Sequence, residues 1–277
     1  DVSERFLING QPIDEADLEE QITFFQGVAE GMAQCPTFFE MNTAIAFRHF
    51  SMQKVDVALI EVGMGGRFDS TNVVAPVATA ITNIALEHTS FLGDTIAKIA
   101  FEKAGIIKAD VPVVTAESNE EALKVFHDTA RAQNAPLTRI DTDRAWALRG
   151  TPWDQRFDYA GPTLTIEDVP LALPGRYQGA NAAVAVGVAE NLMVRFPKLT
   201  QAHVEMGLRD ASWPCRLEKV LENPPVYIDV AHNVAGAQRL AEVFEDCIVV
   251  FAASSDKDAA GMLAALRPIA RTLMLTQ

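Results

Sequence analysis

The stretch Glu61-Val-Gly-Met-Gly-Gly-Arg-Phe-Asp-Ser-Thr-Asn72 follows the apolar run Val55-Asp-Val-Ala-Leu-Ile60. That run predicts a buried parallel strand, so Glu61 falls where a strand ends and a glycine-rich turn begins. In open α/β sheets ligands bind in the crevice at the carboxyl ends of the strands. A lone acid there, beside backbone that lets a ligand approach, can hold a magnesium ion next to a nucleotide phosphate. The same acid can instead cap a backbone amide in a tight turn, and the local pattern leaves both open. His88 follows a second apolar run, Val77–Ile84. If the two strands are neighbours, Glu61 and His88 converge on one crevice. A carboxylate and an imidazole suit magnesium when phosphate oxygens and waters complete the octahedron. The alternative is a histidine hydrogen-bonded within its own loop.

Lys103 stands out for its place in a helical stripe. Ile96, Ile99 and Ala100 mark an inward face, and 103 is the next position in that register. An inward lysine is costly to desolvate unless paired. A neutral lysine can add carbon dioxide to give a carbamate, which offers two oxygens to a metal. Otherwise its stem packs and its ammonium reaches out to water. A third set lies near the other end. Asp229 closes the predicted strand Val226–Val230, and His232-Asn233 precede a helix, where N–H groups favour anions. Plain N-capping by Asn233 explains the same residues. Ser254-Ser-Asp-Lys-Asp258 is a similar loop after the next strand.

These residues need elements to position them. Helices are expected from Asp14 to Gly31, with Asp14 as N-cap, and from Thr37 to Met52, with Phe38, Met41, Ile45 and Phe50 among its apolar positions. Strands 55–62, 77–84 and 111–115 alternate with a helix opening at Asp94 or Thr95 and closing near Gly105, and with a helix from Asn119 to Gln133. That alternation is the signature of a parallel sheet covered by helices. After Pro136, runs such as Arg156-Phe-Asp-Tyr and Thr163-Leu-Thr-Ile, around Ala160-Gly-Pro162, predict antiparallel hairpins. An Ala/Val-rich helix resumes from Gly179 to Phe196. A second, smaller unit opens near Trp213 with strand 226–230, helix 235–245, strand 247–251 and helix 259–267, read as a further βαβα unit, and a strand over Thr272–Gln277.

The chain has 277 residues, 49% of them hydrophobic, and a net charge of -14. That length suits two domains. An acidic chain without a Lys/Arg cluster is poorly suited to nucleic acid or to an anionic membrane surface. Cys35, Cys215 and Cys247 form no CxxC pair and no zinc spacing, which fits thiols in a reducing, cytoplasmic compartment. No apolar run is long enough to span a membrane, and no signal-peptide pattern opens the chain. The first residue is Asp1 rather than Met, and both ends read as cut from something longer.

Taken together the segments resemble folylpolyglutamate synthase/dihydrofolate synthase, within the Mur ligase superfamily. The residues that carry the resemblance are Glu4–Gly10, Thr37–Phe47, Glu61–Asn72, Glu87-His88, Glu102–Ile107, Leu173–Ala182, Trp213–Glu218, Asp229–Asn233 and Asp256–Asp258. The resemblance implies an α/β fold: a P-loop-NTPase-like Mur ligase central domain with a mostly parallel sheet, here residues 1–210, then a smaller Rossmann-like C-terminal domain, here 211–277. It implies ATP in the cleft between them and L-glutamate joined to a folate-type acid through an acyl phosphate. It would make Glu61 and His88 ligands of Mg2+ and Lys103 a carbamylated lysine. Asn181, Arg216, Asp229 and His232 would hold the nucleotide, His232 also facing the incoming glutamate. A monomer is expected from the family.

The departures are specific. No GK[ST] phosphate loop occurs in the 277 residues. Position 87 is Glu where the family usually has Asp, Cys215 stands where Gly is common, and Val230 replaces the Gly of Asp-Gly-Ala-His-Asn. Without the loop, the 277 residues alone are expected not to turn over ATP. Two alternatives stay open at this level: a Mur-type ligase acting on a non-folate acid, and a degenerate nucleotide-binding scaffold.

Overall fold

The computed structural model describes residues 2–276. Two compact units emerge, one of Asp1–Pro76, Ile84–Val111 and Ser118–Ala135, the other of Val77–Asn83, Pro112–Glu117 and Pro136–Gln277.

In the first unit, β1 (Leu7–Ile8) and β2 (Gln11–Pro12) form a hairpin across Asn9-Gly10, whose φ values of 52° and 77° are the two positive dihedrals a tight primed turn requires. α1 (Glu15–Glu30) opens on Asp14, whose carboxylate accepts from Asp17 N at 2.8 Å. α2 (Phe38–Met52) opens on a capping box between Thr37 and Glu40. Phe6, Ile13 and Ile45 bury together with Leu18 and Phe25 at their edge. Arg48 of α2 bonds Gln21 of α1 and lies over the Phe24 ring at 4.1 Å. α3 (Thr89–Leu92), α4 (Ile96–Ala104) and α5 (Glu120–Ala132) complete the unit, with Thr95 and Asn119 capping the last two. Gly105 does close α4, but at φ −61° it is right-handed and not a left-handed cap.

The expected strand at 55–62 does not form. The segment runs without strand assignment, with Val57 53% and Leu59 97% exposed. A strand needs a neighbour to take its N–H and C=O groups. Among the described residues none pairs with these, so the apolar pattern alone does not produce a strand.

In the second unit β3 (Thr79–Ile81), β4 (Val113–Thr115) and β5 (Leu137–Arg139) make a parallel sheet in that order, β3 and β4 being linked through α3 and α4, and β4 and β5 through α5. After α6 (Ile140–Asp143), β6 (Ala145–Thr151), β7 (Asp154–Ala160) and β8 (Thr165–Leu171) form the expected antiparallel meander. α7 (Gln178–Met193) shares one core with both sheets. Val114 and Ile140 lie with Phe157, Tyr159 and Ile166 of the meander, with Ala182, Ala183 and Val186 of α7, and with Leu208 of α8 (Gln201–Asp210). Glycines let α7 come close. A Cβ at Gly179 would lie 2.6 Å from the Trp146 ring, and one at Gly187 would lie 3.0 Å from Ile140. Glu190, 4% exposed, locks α7 to the meander. It accepts from Arg144 Nε at 2.9 Å, Tyr159 OH at 3.1 Å, Thr163 N at 2.9 Å and Leu164 N at 3.0 Å.

Beyond residue 211 the expected order of strand, helix, strand and helix is observed, but its first strand does not join the parallel pair. β10 (Pro225–Ile228) pairs antiparallel with β9 (Glu218–Glu222), a strand the sequence reading passed over because charge interrupts its apolar residues. The parallel part is β11 (Cys247–Phe251) beside β12 (Ala270–Leu275), joined through α10 (Ala259–Leu266), with α9 (Val234–Ala241) preceding β11. Gln277, the end of the expected last strand, lies outside the described residues. Ala237, Phe251, Met262, Leu266 and Ile269 form this segment's own core. Among the described residues no helix is long and apolar enough to cross a membrane.

Candidate active site

The glycine turn is built directly onto the C-terminal end of α4. Arg67 N donates to Glu102 O at 2.8 Å, and the Arg67 guanidinium makes two bonds to the Glu102 carboxylate, at 2.7 and 3.3 Å. Asn72 Nδ2 bridges Arg67 O at 3.0 Å and Gly105 O at 3.1 Å, and Lys108 Nζ donates to Asn72 O at 3.1 Å. Two glycines permit the contact. A Cβ on Gly66 would sit 2.7 Å from Glu102 O, and one on Gly105 would sit 2.3 Å from Arg67 Cα. Inside the turn the acid that serves the backbone is Asp69. It accepts from Gly63 N at 3.0 Å, Met64 N at 2.9 Å, Thr71 N at 2.9 Å and Thr71 Oγ1 at 2.5 Å.

Because Asp69 fills the capping role, Glu61 does not. Among the described residues its exposed carboxylate has no hydrogen-bond or ion-pair partner. His88 is exposed and its imidazole is likewise free, while its carbonyl accepts from Phe91 N and Leu92 N. Its φ of 49° puts a non-glycine residue in the left-handed region, a local strain of about 1 kcal/mol that is commonest at functional positions. Lys103 lies in the last turn of α4, half-buried, between buried Ala100 and Ala104, with no acidic partner among the described residues. Among the described residues no three His, Cys, Asp or Glu side chains gather into a metal cluster. By donor type alone a carboxylate and an imidazole suit magnesium. A free carboxylate and a free imidazole leave the octahedron to phosphate and water, which that ion prefers to keep.

In the second unit the residues named from sequence are differently employed. Asp229 accepts from Leu217 N at 3.0 Å and Ala231 N at 2.7 Å, one bond to each oxygen. Asn233 caps α9 by accepting from Gly236 N at 2.7 Å, as its capping alternative required. His232 Nδ1 lies 3.1 Å from Val230 O. A carbonyl only accepts, so Nδ1 carries the proton and Nε2 of this exposed ring is left open. Arg216 is half-buried with no hydrogen-bond or ion-pair partner among the described residues. Cys215 and Leu217 on either side of it have φ of 57° and 50°. That explains why glycine suits position 215, since glycine enters this region without a Cβ penalty. Asn181 is exposed, and its Nδ2 donates to Gln178 Oε1 at 2.9 Å.

Sequence reasoning passed over Asp69, the Arg67–Glu102 pair, Gln178 and Tyr177. Tyr177 is held above the usual tyrosine range, first by burial and then by the charge of Asp229, with Arg216 and Arg239 opposing. Its hydroxyl is therefore a marker that Asp229, Arg216 and Arg239 share one neighbourhood. A signal for Asp69 was present in Asp-Ser-Thr, which is ordinary Asx-turn chemistry.

Residues 18–189 match the Mur ligase middle domain, so the class of protein is a Mur ligase. Within that class the chain belongs to the folylpolyglutamate synthase/dihydrofolate synthase family. It is 38% identical over 284 residues to the dihydrofolate synthase/folylpolyglutamate synthase of Bacillus subtilis, covering 98% of this chain and 66% of that protein. It is 38% identical to the folylpolyglutamate synthase of Lacticaseibacillus casei, covering 94% and 64%. The solved FPGS–AMPPCP–folate complex superposes with a TM-score of 0.89 at 35% identity, over 99% of this chain and 70% of that one. Mycobacterium tuberculosis folylpolyglutamate synthase, solved with ADP and AMPPCP, gives 0.90 at 32% identity, over 99% and 66%. The chain thus spans just under two thirds of the length of these two curated relatives.

Proposed function

We propose that the protein of which this chain is the whole or a part is an ATP- and magnesium-dependent ligase that joins L-glutamate to the carboxylate of a folate-type acid. The observation that carries this reading is the pairing of the glycine turn with the end of α4, which leaves Glu61 free and Lys103 half-buried without an acid. The similarity to proteins solved with AMPPCP and folate supports the same substrates. In this reading Glu61 and His88 hold Mg2+, which when bound neutralises phosphate charge during transfer. Lys103, half-buried on α4, would form an N–C bond from Nζ to carbon dioxide, with two protons of the original ammonium released to solvent. The carbamate would put an anion where a cation stood and would offer two oxygens to a metal.

Asn181, Arg216, Asp229 and His232 hold the nucleotide. Arg216, with no hydrogen-bond or ion-pair partner among the described residues, is suited to a phosphate. Asp229 acts mainly by shaping the loop, because both its oxygens already serve backbone amides. His232 presents Nε2 and can take the proton released when the glutamate amine attacks the acyl phosphate. Residues 1–210 form the central ATP-binding domain and 211–277 the Rossmann-like one. The separate apolar clusters on either side of residue 210 support that division. The three free thiols fit a cytoplasmic setting, and a monomer accords with the family reading.

The test is ADP release by the full-length gene product with ATP, Mg2+ and glutamate, using tetrahydrofolate or dihydropteroate as acceptor. Release that requires acceptor and glutamate together supports the reading. Release indifferent to both overturns it.

A further inference from the structure

The turn between β6 and β7 touches both candidate nucleotide-holding segments of the second unit at once. Its shape is fixed locally. Gly150 has φ 91°, and a Cβ there would lie 2.1 Å from Asp154 O, while Thr151 Oγ1 accepts from Asp154 N at 3.1 Å. On one side the turn grips the segment that leads into α7. Gly175 N donates to Pro152 O at 2.8 Å, Arg176 to Gly150 O at 3.2 Å, and Gln155 Nε2 to Leu173 O at 3.1 Å. That segment runs straight into Tyr177, Gln178 and Asn181. On the other side Trp153 packs on Tyr227 of β10 at 4.6 Å between ring centroids and on Phe244 after α9 at 5.4 Å, with Tyr227 and Phe244 5.2 Å apart. Tyr227 lies two residues before Asp229, and Phe244 follows the helix that His232-Asn233 open.

We propose that Trp153 is a positioning residue: it sets the β10 strand, and with it Asp229 and His232, at a fixed spacing from the loop that feeds Asn181, so that one nucleotide can meet both. This rests on the nucleotide role given above to Asn181, Arg216, Asp229 and His232. Three rings from three elements need not meet for either core to form, since none of them belongs to the fully buried set. The β6–β7 turn itself is closed by its own backbone and by Thr151. What the stack adds is registration between two loops that both face a ligand. An aromatic contact of this kind has a preferred geometry and adds to what its buried area alone supplies.

The test is ADP affinity by titration calorimetry with Mg2+, on the full-length protein as wild type, Trp153→Ala and Trp153→Phe, well below each melting temperature. Amide exchange over residues 226–231 is followed in parallel. The expected result is a Kd weakened roughly five- to tenfold in Trp153→Ala, faster exchange at 226–231, and a Trp153→Phe value within about twofold of wild type. An unchanged Kd in Trp153→Ala overturns the proposal even if the melting temperature drops, because that describes a structural contact alone. Equal loss in Trp153→Phe also overturns it. A full-length wild type that binds no ADP overturns the nucleotide reading itself. Should Trp153→Ala fail to fold, Trp153→Leu removes the stacked ring while keeping bulk, and is read in the same way.

Discussion

The glycine turn at 61–72 and the loop at 229–233 look alike in sequence, each an acid after an apolar run with polar residues behind it. They work differently. At the first, backbone amides are served by a bystander, Asp69, and the turn is fastened by Arg67, Glu102 and Asn72. Glu61 is left free. At the second, Asp229 and Asn233 spend their own oxygens on backbone amides, while among the described residues Arg216 has no hydrogen-bond or ion-pair partner and His232 bonds through Nδ1. An acid in a motif is therefore not equivalent to an acid available for chemistry. What separates them is whether another side chain has taken over the backbone's hydrogen bonds.

Glu190, a buried carboxylate that accepts from Arg144, Tyr159, Thr163 and Leu164, sets the scale. Glu190→Ala leaves Arg144 buried without its partner and should cost about 3–5 kcal/mol in urea unfolding. Burial would raise the Glu190 pKa, but the Thr163 amide and Arg144 outweigh it and hold it below its ordinary 4.5. A depressed folded-state pKa means stability present above the unfolded value and lost as pH falls through the folded one. Wild type should therefore weaken progressively below about pH 4.5, and Glu190→Gln should show a flatter acid limb. Tyr159, pushed up to about 12 by burial and by Glu190, stays protonated throughout and keeps donating.

Asp69→Ala should come next, destabilising by about 2–3 kcal/mol because four donors lose their acceptor. Its counterpart Glu61→Gln should leave the unfolding midpoint in place and lower glutamate-dependent ADP release of the full-length enzyme at least about 100-fold. If Glu61→Gln destabilises as Asp69→Ala does, the distinction between free and committed acids collapses. At the second loop the order should invert. Asp229→Ala should cost about 1–2 kcal/mol of stability, and His232→Ala less than about 0.5 kcal/mol while still lowering turnover. A small effect of opposite sign is expected for Cys215→Gly. Relief of its positive φ should stabilise by about 0.5 kcal/mol, read as a higher melting temperature.

Much of the frame was legible before any coordinates. Asp14, Thr37, Thr95 and Asn119 announced their helices, since a side-chain oxygen satisfying a free amide is a local event. Alternation after Pro136 announced the meander. The strand at 55–62 and the pairing of β10 were misread for one reason. A strand is completed by a partner distant in sequence, and an apolar pattern does not name that partner.

The sequence by itself determined the residue types that can carry this chemistry, their order, and the helices that hold them, because capping and periodicity act within a few residues. Only the tertiary structure decided which of those residues are free. That Asp69 and not Glu61 serves the turn is settled within a dozen residues, whereas Arg67 occupying Glu102 near Lys103 and Trp153 tying two loops together depend on groups dozens of residues apart meeting in space.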